Sequence, residues 1–204
     1  MFTIRQEITA NQMLLDQGVA ELPHKLDTFL KQAKDDGRIT RDEAASWQQV
    51  LRPVIAQLVD QREVAPEQED LIVTVMRLTP WRGDEADGKR WYRGDLALAD
   101  LDGVLIGTYW AEKKWSPLPA PQTIGEFARH LDPKARVTSI EGPFDFKKMR
   151  GHPIYTAETP DALVNGPWTF REGANRSRAI ALDFAAGMFG DRTTLPVIIG
   201  VPRA

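Results

Sequence analysis

The stretch that most restricts the fold lies in the last third of the chain. Trp168-Thr169-Phe170 is a run of β-formers ending at Glu172-Gly173, and a helical pattern follows from Ser177 to Met188. Ala179, Ile180, Leu182, Ala185 and Ala186 supply the apolar side of that helix, and Gly187 or Gly190 is placed to stop it. Thr194 to Val201 then reads as a buried strand. Strand, glycine turn, helix, strand is an arrangement in which free N–H groups at a helix N-terminus gather around an anion. Gly173 permits close approach, and Ala174 and Asn175 continue the turn. Arg176 adds a bidentate fork aimed at the same place. Arg178 lies two positions on and points to another side of the helix. Glu172, at the strand end, has the chemistry to hold a metal, accept a proton or bind a ribose hydroxyl. The same spacing also serves as a plain strand–helix connection, so the residues leave both readings open.

The first part of the chain is helical in pattern. Residues 1–20 keep no clean period, but Leu22, Leu26, Phe29, Leu30 and Ala33 fall on one face, with Pro23 suited to a first turn and Gly37 to a stop. Thr40-Arg41-Asp42-Glu43 is a capping box opening a second helix, which Pro53 should kink or break near Arg52. A third helix is expected from Pro66, giving a small bundle. Residues 35–58 have a helix–turn–helix look, but Asp42 and Glu43 stand where phosphates would approach, so DNA is not the favoured partner.

Near Leu78 the composition changes. Pro80 to Gly88 is polar and glycine-bearing, which makes it the expected boundary between a helical region, 1–80, and a mixed α/β domain, 81–204. Asp102-Gly103 followed by Val104 to Trp110 predicts a hairpin. Ser116 to Pro121 is a stiff link, Thr123 caps a short helix ending near Leu131, and Ala135 to Ile140 reads as a strand. Trp81, Trp91, Trp110, Trp115 and Trp168 fit the core of a mixed sheet better than a base-stacking platform.

Charge and composition narrow the functions. A net charge of −3 and a pI near 5.7 argue against a protein that coats nucleic acid. Residues 142–204 carry 8 basic and 6 acidic side chains, a balance suited to a small anionic ligand. The absence of cysteine removes disulfides, thiolate metal sites and cysteine nucleophiles. His24, His130 and His152 show no ligand spacing, so no metal site of histidines is expected. No apolar run is long enough to span a bilayer and Met1 to Glu7 lacks the pattern of a secretory signal. A cytoplasmic protein without membrane contact is therefore expected. Walker-type, dinucleotide-binding, zinc-protease and nucleophile-elbow motifs are absent.

Gly173-Ala174-Asn175-Arg176-Ser177-Arg178-Ala179 fits G-x-x-R-x-x-A, preceded by an acidic residue and a strand, with His152-Pro153-Ile154 upstream. Over roughly residues 143–201 the chain resembles the ParB/sulfiredoxin-like superfamily, which includes chromosome-partitioning CTPases, sulfiredoxin and free-serine kinases. The resemblance implies a compact α/β unit that binds a nucleotide; with the helical pattern of the N-terminal region and a small mixed sheet before it, the whole chain is expected to be α+β. The resemblance also implies a nucleoside triphosphate with Mg²⁺. Gly173, Ala174, Asn175 and Arg176, with Arg178 and His152 nearby, would bind it, and Glu172 would be the catalytic acidic partner. Nucleotide hydrolysis or phosphotransfer would follow. Ala174 stands where sulfiredoxin has its cysteine, which excludes that reductase chemistry. Asn175 replaces a frequent histidine or arginine, and the second ParB phosphate motif, E-N-x-x-R, is missing. Chromosome partitioning by a CTP clamp loses its support. No carboxylate cluster surrounds the motif, which opposes a nuclease. The alternative is a non-enzymatic scaffold whose N-terminal helices meet a protein partner or DNA.

Overall fold

The computed structural model describes residues 1–60, 63–78, 85–106, 123–126, 149, 151–172, 177, 180–181, 183, 187–190 and 192–203. The chain is α+β and divides into a helical unit, Ile8–Lys89, and a sheet unit made of Met1–Glu7 and Arg90–Ala204.

In the helical unit, α1 spans Ala10–Asp35. Thr9 caps it, accepting from the Gln12 amide at 3.1 Å, while the Gln12 side chain accepts from the Thr9 amide at 2.8 Å. The helix thus begins well before the expected start near residue 22, and Pro23 lies inside it, not in its first turn. Its buried face explains the difference. Gln17, Gly18 and Glu21 stand among Met13, Leu14 and Leu22, so small and polar residues interrupt the apolar period. Gly37, at φ 70°, adopts the left-handed conformation that stops the helix, as expected.

Helix α2, Arg41–Val59, opens on the expected Thr40–Glu43 capping box and continues through Pro53, so no break occurs near Arg52. Helix α3, Pro66–Arg77, begins at its proline as expected and buries Ile72, Val73, Val75 and Met76. A Cβ at Gly18 would collide with Ile72 and meet Met76 at 3.1 Å, so glycine lets α1 and α3 approach closely. Arg77 forks onto Asp87 at 2.8 and 3.1 Å and reaches Asn11 at 2.7 Å, tying the end of α3 to the start of α1.

The sheet unit holds six strands: β1 Phe2–Ile8, β2 Lys89–Ala97, β3 Leu105–Ile106, β4 Ile154–Ala157, β5 Trp168–Glu172 and β6 Thr194–Pro202. Their order across the sheet is β1-β2-β6-β4-β5-β3. β4 runs parallel to β6 and antiparallel to β5, and β3 runs parallel to β5, so the sheet is mixed. β1 comes from the segment without a clean period. It belongs with the sheet because Phe2 is buried among sheet residues while the middle of the strand is exposed. At Gly94 a Cβ would run into the Thr3 carbonyl and the Phe2 ring, which shows how tightly β1 lies on β2.

The hairpin expected at Asp102-Gly103 does not form. After β2 the chain makes a helical turn, α4 (Leu98–Leu101), whose Leu98 and Leu101 are buried. Gly103 and Val104 donate back to Asp100 and Leu101 at 3.2 Å, so the glycine closes that helical turn. β3 then joins the opposite edge of the sheet, beside β5. The Thr123 cap is present, accepting from the Glu126 amide at 3.1 Å. The expected Ser116–Pro121 link, the Ala135–Ile140 strand and the boundary segment near 81 lie outside the described residues.

The core of the sheet unit joins Leu96, Leu98, Leu101 and Val104 to Tyr155, Trp168, Phe170, Ile180 and the β6 residues Leu195, Val197 and Ile199. Fully burying each such large side chain contributes about 1.5–3 kcal/mol. Trp91 and Trp168 are buried, as the core reading expects; the Trp91 ring lies where a Cβ at Gly200 would meet it at 2.5 Å.

Candidate functional site

The site builds from the end of β5. Trp168, Phe170 and Glu172 are buried while Arg171 is exposed. Tyr155 pairs with Phe170 but Ile154 pairs with Glu172, which leaves Arg171 as the extra residue of a β-bulge. A bulge at a strand end redirects the chain, and here it falls immediately before residues 173–176.

Glu172 is a buried carboxylate, 7% exposed, in register with the first residue of β4. β4 and β5 are antiparallel, so the start of β4 and the end of β5 lie at the same end of the sheet. His152 therefore enters at the same end of the sheet as Glu172. It is half-buried and follows Gly151, whose φ of 63° turns the chain into the strand. The Pro153 carbonyl accepts from Ile198 at 3.0 Å, anchoring this entry to β6.

Helical structure is present at Ser177, Ile180, Ala181 and Asp183, and Gly187, at φ 71°, ends it. Ser177 is fully buried and its Oγ lies 2.8 Å from the Tyr155 hydroxyl, itself fully buried. That bond ties helical residue Ser177 to the middle of the sheet. The Tyr155 ring meets Phe170 edge-on, with centroids 6.3 Å apart. Asp183, six positions after Ser177, is a second buried carboxylate.

Of the residues singled out from the sequence, the fold brings Glu172 and His152 to one end of the sheet. Gly173, Ala174, Asn175, Arg176 and Arg178 lie outside the described residues. Sequence reasoning missed Tyr155, Ser177 and Asp183. Ile154, Tyr155 and Ala157 are all buried, because β4 is a central strand, so alternation could not single out the tyrosine. Ser177 sat in plain view inside the G-x-x-R-x-x-A run, where its position in the first helical turn was the available signal. Among the described residues, no three histidine or acidic side chains gather as a metal centre, and no helix is long and apolar enough to cross a membrane.

Comparison of the chain with protein-family models, with curated proteins and with solved structures yields no match. The ParB/sulfiredoxin-like resemblance therefore rests on the residues 173–179 and their surroundings alone.

Proposed function

We propose that the segment joining β5 to the following helix binds the phosphates of a nucleoside triphosphate, with hydrolysis or phosphoryl transfer as the reaction. One observation carries the reading. β5 ends on the buried carboxylate Glu172, and helix is present again at Ser177, with glycine and arginine in the link between them. Amides at such a helix start favour an anion, and Arg176 adds charge-assisted hydrogen bonds.

Mg²⁺ is commonly held by one or two carboxylates together with nucleotide phosphates, and a buried carboxylate at the strand end is a donor of that kind. The ion, when bound, neutralises charge on the phosphates. Glu172 would hold it or orient the acceptor. Arg176 would stabilise the equatorial oxygens, and His152 would stand at the same end of the sheet as Glu172. Such catalysis is positioning and electrostatics, with little covalent chemistry left to the protein.

The second reading is a scaffold without catalysis. The missing E-N-x-x-R motif favours it, because half of a ParB-like phosphate site is then absent. Thermal unfolding with each nucleoside triphosphate and Mg²⁺ separates the two. A ligand at a hundred times its Kd stabilises by about 2.7 kcal/mol, a rise of roughly 5–10 °C for a chain of this size. No rise with any nucleotide at millimolar concentration overturns the nucleotide reading.

A further inference from the structure

The helical unit has a cleft that the proposed nucleotide site does not use. It lies between α1 and α2, with a volume of about 240 Å³. Its apolar lining is Leu30, which is buried, Ala44, which is half-buried, and Ala45, which is exposed; the two alanines are short side chains on α2. Lys34 and Arg41 line one end. Asp27 and Gln48 close the other, joined by a 2.8 Å hydrogen bond from the Gln48 amide. Seven residues of helical rise separate Asp27 from Lys34, or about 10 Å. The cleft is therefore polarised along its length, cationic at one end and acidic at the other.

The cations are not equally engaged. Lys31 is paired with Asp35 at 2.6 Å, a bond that holds the Asp35 carboxyl below its ordinary pKa. Lys34 meets that same carboxylate only at 3.9 Å. Arg41 is the first residue of α2 and makes no ion pair among the described residues. The amide that an anion would otherwise seek at this helix start is taken, since Glu43 N–H donates to the Thr40 hydroxyl at 3.2 Å. What remains for a ligand is side-chain charge beside apolar lining: Lys31, Lys34 and Arg41 all line the gap, and of these Lys31 is already closely paired with Asp35.

We propose that this cleft binds a small amphiphilic anion with a single acidic head, a carboxylate or a phosphate monoester on a short hydrocarbon tail. The head sits between Lys34 and Arg41, whose guanidinium takes it bidentately. The tail lies on Leu30, Ala44 and Ala45. Asp27 repels a second acidic group at the far end, which selects against dianions with a head at each end. The volume is below that of drug-sized pockets, so the ligand is fragment-sized.

The test is titration of the full chain with butyrate, butyl phosphate and the neutral butyramide, followed by amide NMR shifts of Ala44, Ala45 and Gln48. Saturable shifts at millimolar butyrate or butyl phosphate are expected, and whichever binds more tightly identifies the head group. The variant Lys34→Gln/Arg41→Gln should bind about tenfold more weakly or worse, as the loss of charge-assisted hydrogen bonds predicts. Arg52→Gln, an exposed α2 position outside the cleft, should bind as wild type does. Both substitutions lie on the surface, so folding is checked by circular dichroism. Saturation by neither anion, equal binding of butyramide, or unchanged affinity in the double variant overturns the proposal.

Discussion

The Tyr155–Ser177 bond is where the candidate site can be tested without knowing its ligand. Tyr155→Phe removes one oxygen and keeps the ring against Phe170. The lost hydrogen bond contributes about 0.5–1.5 kcal/mol net, and a buried serine hydroxyl deprived of its partner adds to the cost, for a total of about 1–3 kcal/mol. Ser177→Ala breaks the same bond from the other side. Replacing both partners by apolar groups is close to neutral relative to either single change, so the double variant should lose much less than the sum of the two. The expected coupling is about 1–2 kcal/mol, read from urea unfolding followed by tryptophan fluorescence, with Trp168 on the adjoining strand as reporter. Strictly additive losses would refute the reasoning, because they would mean that the two hydroxyls do not act on each other. The cycle matters for function, since a preorganised phosphate site needs its helix start fixed to a rigid element.

Other consequences reach the rest of the fold. Gly18→Ala gains about 1 kcal/mol of helix propensity but forces a methyl into Ile72, a buried and stiff β-branched side chain, at an overpacking cost of about 1–3 kcal/mol. A net loss of about 1 kcal/mol is expected in chemical denaturation, and in an Ile72→Ala background the same substitution should become stabilising; stabilisation in the wild-type background would contradict the packing. Glu7 receives a bidentate hydrogen bond from Arg90 at 2.8 and 3.0 Å, which, ahead of the charge attraction, holds its carboxyl below the ordinary 4.5. A depressed carboxylate stabilises the fold above its unfolded value and loses that contribution as pH falls through the folded one. Glu7→Gln should therefore flatten the fall of stability below pH 4.5, and less so in high salt, because the pair is exposed. An unchanged acid limb would show that this pair does not couple to folding.

How much of this was legible in the sequence depended on whether local chemistry or long-range pairing decided each element. Capping and stopping are local, and Thr40, Pro66, Gly37 and Gly187 each act where their chemistry says. β5 and β6 also matched, because dense β-formers bounded by glycine or proline leave few alternatives. The start of α1 was hidden by Gln17, Gly18 and Glu21 on its buried face, which a periodicity argument counts as solvent positions. The hairpin at Asp102-Gly103 failed for a different reason. The local turn signal is real, but burial of Leu98 and Leu101 makes a helical turn there and sends β3 to the far edge. At the site, Glu172 and His152 were legible as polar residues at strand ends. Their shared end of the sheet follows only from the antiparallel pairing of β4 with β5, which local propensity does not reveal.

The most direct test of the nucleotide reading is calorimetric titration of Mg²⁺–nucleoside triphosphates into the wild-type chain and into Arg176→Ala. Saturable heat in the wild type and none in the variant, with the same circular dichroism and Tm for both, is the predicted result. Equal affinity in Arg176→Ala, or no heat in the wild type with any nucleotide, would contradict it.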